Sequence, residues 1–327
     1  MVAEMERIDV HVHMVDRGGA GCPCHVSRRM RHSWQFRILD RMLAHHDVRD
    51  GDSWVARLTR WLDEAQYIDR IALFALDGAY HADGTLDFAN SPMVIPNAVV
   101  TEVCRQHAGL LPVISINPDR ADAVAELERW GPQAVALKWL APMQRFRLDR
   151  LRHAAFIDLL TELRLPVISH AGAEHTFPAA VQELGDPVLM APLLERGIPV
   201  IFAHCATGSF MHPRSGRLEA FLNTLERYDH AFGDSSGFTS LVRGRWLADR
   251  RLDGVRERIL HGSDLPVPPM PLALAPWVGA GEAVRLQAVA NPLDRDVLAK
   301  RAIGVPDAAF LRASALLAPG IRRVKGH

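Results

Sequence analysis

Two histidines separated by one residue, His11-Val12-His13, close the apolar run Ile8-Asp9-Val10-His11-Val12-His13 and are the first side chains in the sequence that could do chemistry. Residues two apart on an extended strand leave from the same face, so both imidazoles can reach one divalent ion. Such nitrogen ligands suit zinc and similar metals, but two of them do not close a site. Further candidates of ligand or base type occur where later apolar runs end: Lys138, His170, His204 and Asp264. An isolated buried histidine is more often a hydrogen-bonded core residue than a ligand. Several such residues at matched positions are not explained that way.

The elements that must position them follow a repeat. Short apolar, β-branched runs span 8–13, 70–76, 111–117, 134–140, 166–170, 199–204, 230–234 and 258–264, and each is read as a strand. Helical patterns such as 122–130 and 151–163 lie between them, with apolar residues recurring at three and four. Strands alternating with helices imply parallel pairing, and eight such units predict an α/β fold, a closed (β/α)8 TIM barrel, as a single domain over 1–327. A doubly wound open sheet is disfavoured because no G-x-G-x-x-G follows the first strand. Residues 14–69 exceed a βα loop plus one helix and are expected to form an insertion near the barrel mouth. Pro266-Val267-Pro268-Pro269-Met270-Pro271 predicts an extended turn after the eighth strand, with closing helices beyond it, including 306–317.

In a barrel the C-terminal strand ends converge on one mouth, where this fold builds its active sites. Strand parity puts Asp9, His11 and His13 on one face and Ile8, Val10 and Val12 on the face that packs against helices. The same parity turns His261 outward, away from the site.

Composition narrows the alternatives. The 327 residues are 48% apolar and 23% charged, with 38 basic and 38 acidic side chains and no net charge. A balanced charge argues against a general nucleic-acid or anionic-membrane surface. No apolar stretch reaches membrane-spanning length and the first residues lack a signal-like pattern, so the cytoplasm is the expected location. The oligomeric state is open, and a homo-oligomer is compatible with everything read here. Cys22, Cys24, Cys104 and Cys205 form no disulfide framework, and Cys22-Pro23-Cys24 lacks the spacing of a zinc knuckle.

Taken together, Asp9-Val10-His11-Val12-His13, Val135-Ala136-Leu137-Lys138-Trp139, Val167-Ile168-Ser169-His170-Ala171-Gly172, Val200-Ile201-Phe202-Ala203-His204-Cys205 and Ile259-Leu260-His261-Gly262-Ser263-Asp264-Leu265-Pro266 resemble the amidohydrolase superfamily. The resemblance is to the branch called amidohydrolase family 2, which includes aminocarboxymuconate-semialdehyde decarboxylase and related hydrolases, and it runs from the first strand to the closing helices. It implies a barrel with one metal, zinc being expected, held by His11, His13, His170 and Asp264, with His204 close to the water that the metal activates. Zinc lowers the pKa of bound water to about 7. Asp264 would then take a proton from the water and deliver it to the leaving group, while His204 orients the water or polarises a carbonyl.

Lys138 bears on the metal count. In binuclear relatives a lysine at this strand is carboxylated and bridges two ions, with His170 and His204 on the second. In the branch this chain resembles it accompanies one metal, and here it is expected to be a cationic contact for a small, carboxylated substrate. His175, with Glu174 beside it in the loop after the fifth strand, is a further candidate for substrate binding. Asp77, Asn117 and Asp234 also end strands, but helix capping explains them equally well. Arg28, Arg29 and Arg31 could bind an acidic substrate if the insertion folds over the mouth, or form a solvated basic helix start. The reaction expected is hydrolysis of an amide, ester or lactone. Non-oxidative decarboxylation of an aromatic or unsaturated acid is the alternative, and a non-catalytic binding barrel is disfavoured because no ligand is missing.

Overall fold

A strand buried on both faces needs apolar side chains pointing both ways, and the short runs of this chain have that composition. The computed structural model describes residues 5–18, 23–208, 217–241, 243 and 250–326. Its eight parallel barrel strands are β1 (Ile8–His13), β2 (Arg70–Phe74), β3 (Leu110–Ile114), β4 (Ala136–Trp139), β5 (Val167–Ser169), β6 (Val200–Phe202), β7 (Ala231–Asp234) and β8 (Ile259–Leu260), each paired with the next in sequence. The seam between β8 and β1 is closed by Val10 N–H to the His261 carbonyl (3.0 Å), Asp264 N–H to His11 (2.9 Å) and His13 N–H to Leu265 (2.9 Å). The expected (β/α)8 barrel is the fold observed.

Ala72, Leu111, Ala136, Ile168, Ile201 and Leu260 belong to one buried cluster, and truncating one of its larger members, such as Ile168 to Ala, would cost about 2–5 kcal/mol. Outside the strands, the long helix Ala308–Lys325 buries Ala309, Phe310, Ala313, Leu317 and Ile321. No helix among the described residues is long and apolar enough to cross a membrane.

Several strands end before their apolar runs do. The ladder on β3 stops at Ile114 rather than Asn117, that on β5 at Ser169, that on β6 at Phe202 and that on β8 at Leu260. Past β6 the backbone turns sharply: His204, Cys205 and Ala206 take φ of 55°, 49° and 53°, the left-handed region. That conformation costs roughly 1–2 kcal/mol per residue for side chains with a Cβ. Asp264, past β8, also has a positive φ, 75°.

Between β1 and β2 lie the helices Arg28–Arg31, Trp34–His45 and Gly51–Glu64, and the strand His25–Val26 paired antiparallel with Met93–Val94. Their starts are encoded locally, since Ser27 and Ser33 cap the first two and Asp50 forms a capping box with Ser53. Trp54 Nε1–H donates to the His13 carbonyl (2.9 Å) and His46 Nε2 lies 3.1 Å from the Pro266 carbonyl, so this segment touches the chain at the C-terminal ends of β1 and β8. Arg28, Arg29 and Arg31 are exposed, and Arg31 bonds the Val26 and Gly18 carbonyls. Cys22 lies outside the described residues, and with it the question of pairing with Cys24.

Candidate active site

The inward parity of β1 delivers His11 and His13 to the same space, with ring centroids 5.1 Å apart. His11 is buried, and its Nδ1 lies 2.7 Å from Asp234 Oδ2 at the end of β7. Because that partner is a carboxylate, Nδ1 carries the proton and Nε2 presents a lone pair. Nε2 is 3.5 Å from Asp264 Oδ1, and His13 Nε2 is 3.5 Å from the same oxygen. His204, on the left-handed turn after β6, has its Nδ1 3.0 Å from the Ser236 carbonyl and 2.7 Å from Ser236 Oγ, which leaves Nε2 for the interior. Ligand atoms of His11, His204 and Asp264 lie within 4.8 Å of one another. His13 and His170 stand beside this group rather than in it, the His170 ring 5.4 Å from that of His204.

Burial, reinforced by nearby cations, holds these imidazoles neutral. His11, His170 and His204 are pushed well below the ordinary histidine range first by desolvation, then by Lys138 for His11 and by Arg243 for the other two. A neutral imidazole is the form that binds a metal.

Lys138 is deeper than a mouth contact. It is 1% exposed, with Nζ 3.4 Å from His11 Nε2 and 4.8 Å from the centre of the Phe74 ring. Burial lowers its pKa to about 8, with Asp234, Asp264 and Glu174 opposing the shift. His175 is half-buried in the loop after β5 and is not part of the donor cluster.

Helix capping does not describe Asp234. One carboxylate oxygen meets His11, and the other accepts the His204 N–H (2.8 Å), the Ser236 N–H (3.0 Å) and the Ser236 hydroxyl. Asp77 likewise serves the loops, accepting from Gly78 N–H, Asn117 N–H and the Tyr80 hydroxyl. Asn117 uses its amide to hold the Gly78 and Gln144 carbonyls. His261 does face outward, its ring 4.9 Å from that of Phe310. Arg243 was not singled out from sequence, because it belongs to no strand-end run. Its buried guanidinium donates to the Thr207 carbonyl (2.6 Å), and its stem passes the open side of Gly237, where a Cβ would lie 3.2 Å from Arg243 Cδ and 3.1 Å from Asp264 Oδ2.

Among solved structures, the chain is similar to a protein from Acinetobacter baumannii described as a probable 2-pyrone-4,6-dicarboxylic acid hydrolase, with citric acid bound (14% identity, 96% of each chain covered, TM-score 0.54). A second, from Pseudomonas putida and described in the same terms, has 18% identity over 97% of this chain and 98% of that one, with a TM-score of 0.51. At these identities the likeness is one of fold. No curated protein matches the chain in sequence. The amidohydrolase family 2 model matches residues 8–303, from the first barrel strand to beyond the last, and the chain belongs to that family of metal-dependent enzymes.

Proposed function

We propose that the protein is a hydrolase that holds one divalent ion between His11, His13, His170 and Asp264 and adds water to a small, carboxylated carbonyl substrate. The observation that carries this reading is the convergence of imidazole Nε2 atoms, with Asp264 Oδ1 3.5 Å from two of them. The donor set fits an ion: His11 Nδ1 and His204 Nδ1 are anchored by acceptors, and His170 Nε2 is buried without a hydrogen-bond partner. A donor set rich in imidazole suits zinc. When bound, the ion supplies Lewis acidity and lowers the pKa of water.

The remaining steps belong to the chain's own residues. Asp264 takes the proton from the attacking water and returns it to the leaving group. His204, with Nδ1 bonded to a carbonyl, can only accept at Nε2, so it orients the water rather than polarising the substrate carbonyl. Lys138 and Arg243 put two cations against three carboxylates, Asp234, Asp264 and Glu174, so a divalent ion turns the pocket net positive and suits an anionic substrate. His175 is assigned to the substrate side of the same loop.

Metal analysis and turnover test this together. Purified protein should carry about one equivalent of divalent metal, with lactone, ester or amide hydrolysis abolished by chelation and restored by the ion. Equal turnover by metal-free protein would sink the reading, and release of carbon dioxide from a carboxylated aromatic in place of hydrolysis would transfer the site to decarboxylation.

A further inference from the structure

Glu174 lies four residues past His170, in the loop after β5, and is only 5% exposed. The loop fixes it at three points. Glu174 N–H donates to Gln182 Oε1 (2.9 Å), Gln182 Nε2 donates back to the Glu174 carbonyl (2.6 Å), and Glu174 Oε1 accepts the Thr176 N–H. Oε2 is left facing His170 Nε2 at 3.6 Å.

That separation is too long for a hydrogen bond. His170 Nε2 is buried with no hydrogen-bond partner. An unpartnered ring nitrogen and a carboxyl oxygen therefore face each other in a buried site, across a gap that a cation bridges better than a proton does. Two donors about 2.1 Å from one ion stand about 3.4–3.6 Å apart at angles between tetrahedral and trigonal. The His170–Glu174 spacing falls there, as do the 3.5 Å spacings of His11 and His13 from Asp264.

We infer that Glu174 is a direct ligand of the divalent ion, bound beside His170. The inference rests on the metal site proposed above and extends it. With Glu174 the protein supplies three nitrogens and two oxygens, more than a tetrahedral shell holds, so the ion is at least five-coordinate, with the 3.5–3.6 Å spacings on the wide angles of that shell.

Titrating metal-free full-length protein with cobalt(II) reads this without turnover, because tetrahedral cobalt absorbs visible light far more strongly than five- or six-coordinate cobalt. Wild type should show a weak band. E174A should bind cobalt about 100-fold or more weakly, and its band should intensify as the shell contracts. E174Q, which can keep the Thr176 contact, should show a smaller change in the same direction and carries the test if E174A does not fold, with circular dichroism reporting the fold. An unchanged band in the variants overturns the inference, even with weaker binding, because Glu174 would then act from outside the shell. Wild type that binds no cobalt would instead remove the metal site itself.

Discussion

Two buried clusters of histidine, aspartate and lysine flank the β1–β8 seam, and they differ in where their polar atoms point. On the inner side, His11 and His13 both direct Nε2 toward Asp264 Oδ1, and His204 directs its own inward. On the outer side, His261 sits between Asp9 Oδ2 at 4.0 Å from Nε2 and Asp296 Oδ2 at 3.8 Å from Nδ1, on opposite edges of the ring. Lys300 neutralises Asp296, donating to its Oδ2 (2.5 Å) and to the Gly262 carbonyl (2.6 Å), while Thr239 donates to the other Asp296 oxygen. Residue types are alike in the two clusters, although His13 and Asp264 on the inner side are partly exposed and the outer residues are fully buried. Convergence of acceptors on one point separates a binding site from a brace.

The contrast can be broken by substitution. Asp264→Asn should lower kcat by about 10²–10⁴-fold while metal content is retained, because the amide keeps an oxygen donor but cannot shuttle a proton. Near-normal turnover by this variant would remove Asp264 as the base. Lys300→Met should act oppositely, destabilising the fold by about 3–5 kcal/mol through an unpaired buried carboxylate, with kcat/KM of the folded protein nearly unchanged. Denaturant unfolding beside steady-state kinetics checks it, and lost turnover at full stability would erase the distinction.

Asp234→Asn sharpens the inner case. It should weaken metal binding by about 10–100-fold by loosening His11, as read by competition with a chelator. Lys138→Met should have the smallest effect, raising KM by about tenfold with metal content unchanged. Loss of a whole equivalent of metal would point to a bridging carbamate instead. Burial brings Lys138 to about 8, so its ammonium predominates below that pH and is lost as pH rises through it. Wild-type kcat/KM should therefore fall above pH 8, and a pH profile of Lys138→Met should lack that limb.

The barrel and the donor residues were legible because both depend on local pattern. Period-two parity gives the inward pair His11 and His13 and turns His261 outward, but the register shift between Asp9 and Val12 breaks it below them: Asp9, expected on the face of the two histidines, meets His261 on the outer side, and Ile8 and Val10 join the cluster of Ala72 and Ile168. Partners were less legible. Asp234 ends a strand as plainly as His204 follows one, but its bond to His11 joins residues 223 apart, and sequence offers capping as an equal reading. The early end of β6 is not legible because the left-handed turn at His204-Cys205-Ala206 has none of the glycine that usually marks one. Lys138 was assigned correctly to its strand, but its depth depends on the tilt and packing of the neighbouring strands.

The indole of Trp54 holds the His13 carbonyl from the helix Gly51–Glu64, whose first N–H also reaches back to Asp16 Oδ2 (2.9 Å). A strand bearing two candidate ligands is thus latched to a helix that bears none. Local unfolding of that helix would strip the His13 carbonyl of its indole partner, which couples the helix and the end of β1 into one unit. An ion binding only the closed form would stabilise that unit by mass action, and occupancy of the site would be felt in the solvent protection of a helix that never touches it.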